Sequence, residues 1–149
     1  MRFLDSSIFI RHLAGDHPTR SAACQALFVA IERGGIVVWT TDQVIQEVIH
    51  VLTSPRLEYR QDRETVRDGL LPLIELPGIK LDNKRLYRRI FALYTSLPID
   101  FVDAYHAIYI ELRGADELFS YDTDFDRIAG IRRIEPPDAS VVEYSRGDG

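Results

Sequence analysis

Five short apolar stretches alternate with longer segments of helical periodicity, and this alternation limits the fold more than any other feature. The stretches are Arg2–Leu4, Ile36–Trp39, Ile79–Leu81, Glu117–Ser120 and Ile131–Ile134. Between them, apolar residues recur three and four positions apart, and Gly, Pro or a capping side chain marks most of the breaks. Short strands alternating with helices predict an α/β fold, with a mostly parallel sheet of four to five short strands and helices on both faces. Right-handed connections follow.

In order, the pattern predicts a buried first strand, then a helix over Ser7–Ala14 closed by Gly15. Pro18 opens a second helix, and Gly34-Gly35 stop it. Ile36–Trp39, four apolar residues in a row, predicts a strand covered on both faces. Thr40 with Gln43 forms a capping-box pattern for the next helix. A charged loop over residues 56–67 leads into a helix stopped by Pro77-Gly78. Asp82 is placed to cap a helix running to Leu97, and Asp100 the one after it. At 149 residues this is one domain, 1–140, with a polar tail over 141–149.

Composition narrows the class. A net charge of -5, from 18 basic and 23 acidic residues, argues against binding nucleic acid through bulk charge but permits a local basic rim. Cys24 is alone and sits in an apolar helical pattern, so neither a disulfide framework nor a zinc quartet is available. No segment resembles a signal peptide or a membrane span, which makes a reducing, cytoplasmic compartment the default expectation.

Four carboxylates stand where a carboxylate is hard to explain. Asp5 follows the first strand directly, and Asp122 follows a later strand in the same way. If both strands are central, both acids reach the carboxyl end of the sheet, where open α/β folds bind ligands. Glu47 lies among Val44, Ile45, Val48 and Ile49, and Asp103 among Phe101, Val102 and Ala104. Singly, Asp5 and Asp103 are explained as helix caps, Glu47 as a surface residue and Asp122 as a turn residue. Brought together, they must protonate or bind a hard cation such as magnesium or manganese, which takes oxygen ligands.

The same segments resemble the PIN domain, specifically the small ribonucleases of VapC-type toxin–antitoxin pairs. The resemblance is carried by Phe3-Leu4-Asp5-Ser6-Ser7, by Thr41 through Glu47-Val48, by Asp100-Phe101-Val102-Asp103-Ala104, and by Ser120-Tyr121-Asp122-Thr123-Asp124-Phe125. It implies a Rossmann-like three-layer α/β/α domain and a magnesium-dependent endoribonuclease. Asp5 and Asp103 are then the principal ligands, completed by Glu47 and Asp122, with Asp124 auxiliary. Ser6, Ser7 and Ser120 support the pocket, Ser7 standing where many relatives carry Asn. The resemblance also implies a homodimer and a small cognate antitoxin.

An RNA substrate needs positive charge at the rim of such a pocket. Arg56, Arg60, Arg63 and Arg67, and a second run of Lys84, Arg85, Arg88 and Arg89, are the candidates, with Tyr59 and Tyr87 inside these runs for base stacking. Each run is equally explained as a solvated helix face. His106 is expected to be structural or partly buried. Three other readings compete: a receiver-like phosphoacceptor domain, a PIN-like domain that binds RNA or a partner without cleaving, and a nucleotide-binding Rossmann enzyme. The first needs a Lys after a late strand, yet Lys80 and Lys84 both precede the Asp103 helix. The last lacks a glycine-rich loop after the first strand.

Overall fold

The computed structural model describes residues 1–58 and 60–141. Its element order is β1 (Arg2–Phe3), α1 (Ser6–Ala14), α2 (Pro18–Glu32), β2 (Val38–Trp39), α3 (Asp42–Leu52), α4 (Arg63–Ile74), β3 (Ile79–Lys80), α5 (Tyr87–Ser96), α6 (Phe101–Leu112), β4 (Glu117–Phe119) and β5 (Arg132–Ile134). Short 3-10 turns occupy Lys84–Leu86, Thr123–Arg127 and Ala139–Val141. The alternation of strand and helix is the one the apolar periodicity predicts, and every strand pairing is parallel. The ladders fall into two pieces, β1-β2-β3 and β4-β5, rather than one continuous sheet.

Register explains which side of the first sheet is covered. Arg2, Val38 and Ile79 align in one row, and Phe3, Trp39 and Lys80 in the next. Val38 and Ile79 are buried, whereas Phe3 and Trp39 remain 46% and 43% exposed and meet edge to face at 4.7 Å. The expectations of a buried first strand and of a second strand covered on both faces are therefore corrected. Only one side of this sheet meets the core, and Leu4, just past β1, is the buried residue.

The helices build the core around that sheet. Helix α1 packs on α2 and α3, and α5 on α4 and α6. Cys24 is buried in α2, as its apolar setting predicts. Several caps differ from the sequence pattern. Helix α3 is capped by Thr41, whose hydroxyl accepts from the Val44 amide, while the buried Thr40 hydroxyl donates to the Leu4 carbonyl at 2.9 Å and ties α3's entry to the end of β1. Helix α4 is capped by Asp62, whose carboxylate accepts from the Thr65 amide at 2.8 Å, so residues 63–67 of the expected charged loop are helical. Asp82 caps nothing. The chain turns at Asn83, held at φ 58, a left-handed conformation that Asn tolerates better than most side chains, and enters the 3-10 turn before α5.

Candidate metal centre

The site is built around Asp103, in the first turn of α6. Asp100 caps that helix by accepting from the Asp103 amide at 2.8 Å, and this fixes the backbone from which Asp103 projects. The Asp103 side chain lies on the inner face with Ala104 and Ala107, and the residue is only 8% exposed. Its Oδ2 is buried and has no hydrogen-bond partner among the described residues. A buried carboxylate oxygen without a donor is costly unless it protonates or meets a cation.

Two further carboxylates reach it from the segment after β4. Asp122 opens the Thr123–Arg127 turn and accepts from the Asp124 amide at 2.9 Å. Its own amide donates to the Ser120 hydroxyl at 3.0 Å. Phe125 is buried behind the turn, which anchors it to the core. Asp103, Asp122 and Asp124 can each place one carboxylate oxygen within 4.8 Å of the others. Burial pushes the Asp103 carboxyl up to about 6, with Asp100, Asp122 and Asp124 adding negative charge in the same direction. The donor set is oxygen only, which suits a hard divalent cation, and the orphaned Oδ2 fits one as well.

Asp5 and Glu47 lie outside this tight group. Asp5 caps α1, its Oδ2 accepting from the Ser7 hydroxyl at 3.0 Å and the Ser7 amide at 3.4 Å. These bonds hold its carboxyl below the usual carboxylate range. Ser6 is buried at the start of the same helix. Glu47 is exposed while its neighbours Val44, Ile45, Val48 and Ile49 are buried, so it points away from the apolar face of α3, into a groove it shares with Asp100.

A PIN domain family model matches residues 2–131. The chain belongs to the PIN domain family. This PIN domain is 28% identical over 146 residues to Ribonuclease VapC7 of Mycobacterium tuberculosis, covering 95% of this chain and 96% of the relative. It also aligns with the crystal structure of Mycobacterium tuberculosis VapC20, a sarcin–ricin loop cleaving toxin, over 91% of this chain and 100% of that one, at 18% identity and a TM-score of 0.39.

The basic residues of the PIN domain divide into engaged and free. Arg63 lies over the Tyr94 ring at 4.2 Å, and its Nη1 donates to the carbonyls of Tyr94, Leu97 and Ile99. Lys84 donates to the carbonyls of Leu76 and Ile79 at 2.6 and 2.8 Å. Arg67 pairs with Asp68, Arg88 with Glu75 and Arg89 with Glu111. Arg56, Arg60 and Arg85 have no ion-pair partner among the described residues. Tyr87 is fully buried and donates its hydroxyl to Asp42, so its expected role in base stacking is corrected: it is a core residue. Tyr59 lies outside the described residues. His106 is exposed, contrary to the partly buried position expected of it.

Three residues that shape the site carry no strong sequence signal. Arg133 on β5 donates to the Ser120 carbonyl at 3.1 Å and pairs with Asp126 at 3.0 Å, bracing the turn that delivers Asp122 and Asp124. Arg127 faces Asp124 at 3.6 Å. Asp42 is the third case: Tyr105, two residues after Asp103, donates to its Oδ2 at 2.9 Å and joins α6 to the start of α3.

Proposed function

We propose that this protein is a magnesium-dependent endoribonuclease, the toxin of a toxin–antitoxin pair, cleaving RNA phosphodiester bonds at the acidic centre. The observation that carries the reading is the unpartnered, buried Oδ2 of Asp103 beside Asp122 and Asp124. Membership of the PIN domain family and the likeness to Ribonuclease VapC7 support it. Asp103, Asp122 and Asp124 would hold the ion, with Asp5 and Glu47 completing an outer acidic shell. Magnesium, or manganese in its place, would activate water and stabilise the charge that develops on the leaving oxygen.

The chain's own residues supply position. Asp100 orients Asp103 through the α6 cap, and Ser120 and Arg133 hold the Asp122 turn. Arg56, Arg60 and Arg85 are free to meet the RNA backbone, while Ser6 and Ser7 support the Asp5 corner. The same reading includes a homodimer, a small cognate antitoxin and a cytoplasmic setting, for which the kinship with VapC7 is the support. The receiver-like alternative is weakened further because Lys84 is tied to the Leu76 and Ile79 carbonyls.

The test is cleavage of a panel of structured RNAs in magnesium by the wild type and by Asp103→Asn, with manganese binding followed by calorimetry. The expected result is that the variant loses both cleavage and cation binding. Cleavage by the variant at the wild-type rate would overturn the assignment.

A further inference from the structure

A trough follows α3 for its whole length. At its centre is a cavity of about 530 Å³ bordered by Gln43, Gln46, Glu47, His50 and Asp100. This lies within the roughly 300–1,000 Å³ usual for ligand pockets. It shares Gln43, Gln46, Phe101 and Val102 with a second cavity of about 210 Å³ that reaches His106. At the other end it shares Thr53, Arg63 and Tyr94 with a third of about 380 Å³ that reaches Arg60. From Asp42 to Thr53 the helix rises roughly 16 Å, so the three cavities form one track.

The polar lining follows helical spacing. Gln43, Gln46, Glu47 and His50 recur at three- and four-residue intervals, all four are exposed, and none of their side chains has a hydrogen-bond partner among the described residues. The middle of the track suits a neutral group better than a phosphate. Its carboxylates are Glu47 and Asp100, and its one guanidinium, Arg63, is already held by three carbonyls. A carboxamide offers both donors and an acceptor, the complement of a nucleobase edge. Arg60, without an ion-pair partner at the far end, is placed for a phosphate.

We infer that the α3 trough is the track for single-stranded RNA next to the acidic centre, with Gln43 and Gln46 reading base edges and Arg60 contacting the backbone. The inference rests on the ribonuclease reading and adds its specificity determinants. It assigns sequence preference to Gln43 and Gln46 of α3, beside Glu47, and leaves the chemistry to the carboxylates.

The test uses the full chain carrying Asp103→Asn, so that RNA is not consumed, and fluorescently labelled single-stranded oligonucleotides of varied sequence. Anisotropy is expected to show that Gln43→Ala/Gln46→Ala weakens the preferred sequence roughly tenfold and flattens the preference among sequences. Arg60→Ala should weaken all sequences alike and reduce the salt dependence of binding. In the cleaving protein, Gln43→Ala/Gln46→Ala should shift the cut-site pattern while manganese affinity stays unchanged. If that protein cuts the same sites and the Asp103→Asn form binds with the same preference, the track is wrong while the ribonuclease reading stands. A change in mass in solution for the double variant would make the trough a seam between copies, and would also overturn the inference. If the wild type neither binds nor cuts RNA, the ribonuclease reading itself fails.

Discussion

Replacing Asp103 by Asn should stabilise the metal-free protein near neutral pH, although it removes the central carboxylate of the site. The folded protein holds this carboxyl at about 6, against an ordinary 3.8, because it is buried and faces Asp100, Asp122 and Asp124. That rise corresponds to about 3 kcal/mol, at about 1.36 kcal/mol per unit. The sign follows from proton binding. The folded state binds the proton more tightly than the unfolded chain, so this group's contribution is fully present below about pH 4 and is lost as pH rises through about 6. Above that, the wild type carries the whole penalty, and the neutral isostere does not. For a chain of this size about 1 kcal/mol moves Tm by roughly 2–4 °C, so Asp103→Asn should melt roughly 6–12 °C higher in EDTA at pH 7.5. At pH 4.5 the gap should shrink to about a third. Saturating magnesium should raise the wild-type Tm and leave the variant's where it was, since a bound cation stabilises only the form that binds it. Calorimetric melts at the two pH values, with and without magnesium, measure all of this. A variant that melts at or below the wild type at pH 7.5 in EDTA would refute the picture of a buried Asp103 carboxylate repelled by its acidic neighbours.

Other perturbations test the frame that holds the site. Gly78→Ala should cost about 1–3 kcal/mol in urea denaturation, because a Cβ there would lie 2.8 Å from Ile31 Cγ2 and 3.0–3.1 Å from the Ile31 and Ile36 carbonyl oxygens. Tyr105→Phe removes the donor to Asp42 Oδ2 at the α3–α6 seam and should cost about 1 kcal/mol by the same measurement. Burial and the Asp42 bond push the Tyr105 hydroxyl up to about 12, so absorbance titration should find this phenol still protonated at pH 11 in the folded protein. Arg63→Ala removes the donor that the carbonyls of Tyr94, Leu97 and Ile99 share, leaving only that of Leu97 with a second donor among the described residues, the Ile99 amide, and should cost roughly 2–3 kcal/mol, whereas Arg88→Ala, which breaks an exposed pair with Glu75, should cost less than about 1 kcal/mol.

What the sequence reveals of this fold depends on whether the cause of a feature is local. The strand–helix alternation is legible because apolar period is a property of neighbours along the chain, and Asp103 is legible because a carboxylate among Phe101, Val102 and Ala104 conflicts with that period. The start of α4 could have been read from Asp62 and Thr65, but the run of charges around them hides the cap. Tyr87 was recoverable too, since it shares a helix face with Ile90, Phe91 and Tyr94, all buried. Its basic neighbours point outward and give the segment a polar composition that its inner face does not share. Glu47 shows the limit from the other side. Sequence places it amid apolar residues, yet 3.6-residue periodicity turns it away from Val44 and Val48 and into a groove. The covered side of the first sheet was not legible at all. Phe3 and Trp39 are as apolar as Leu4 and Val38, and only the placement of helices around the sheet decides which row meets the core. The same holds for Arg133, whose bond to the Ser120 carbonyl exists because β5 pairs with β4. The acids of the proposed site thus stand out by conflicting with their neighbours, whereas residues that position them are ordinary until the chain folds. Asp42 and Arg133 are of the second kind, and Tyr105→Phe tests the first of them through its bond to Asp42 Oδ2.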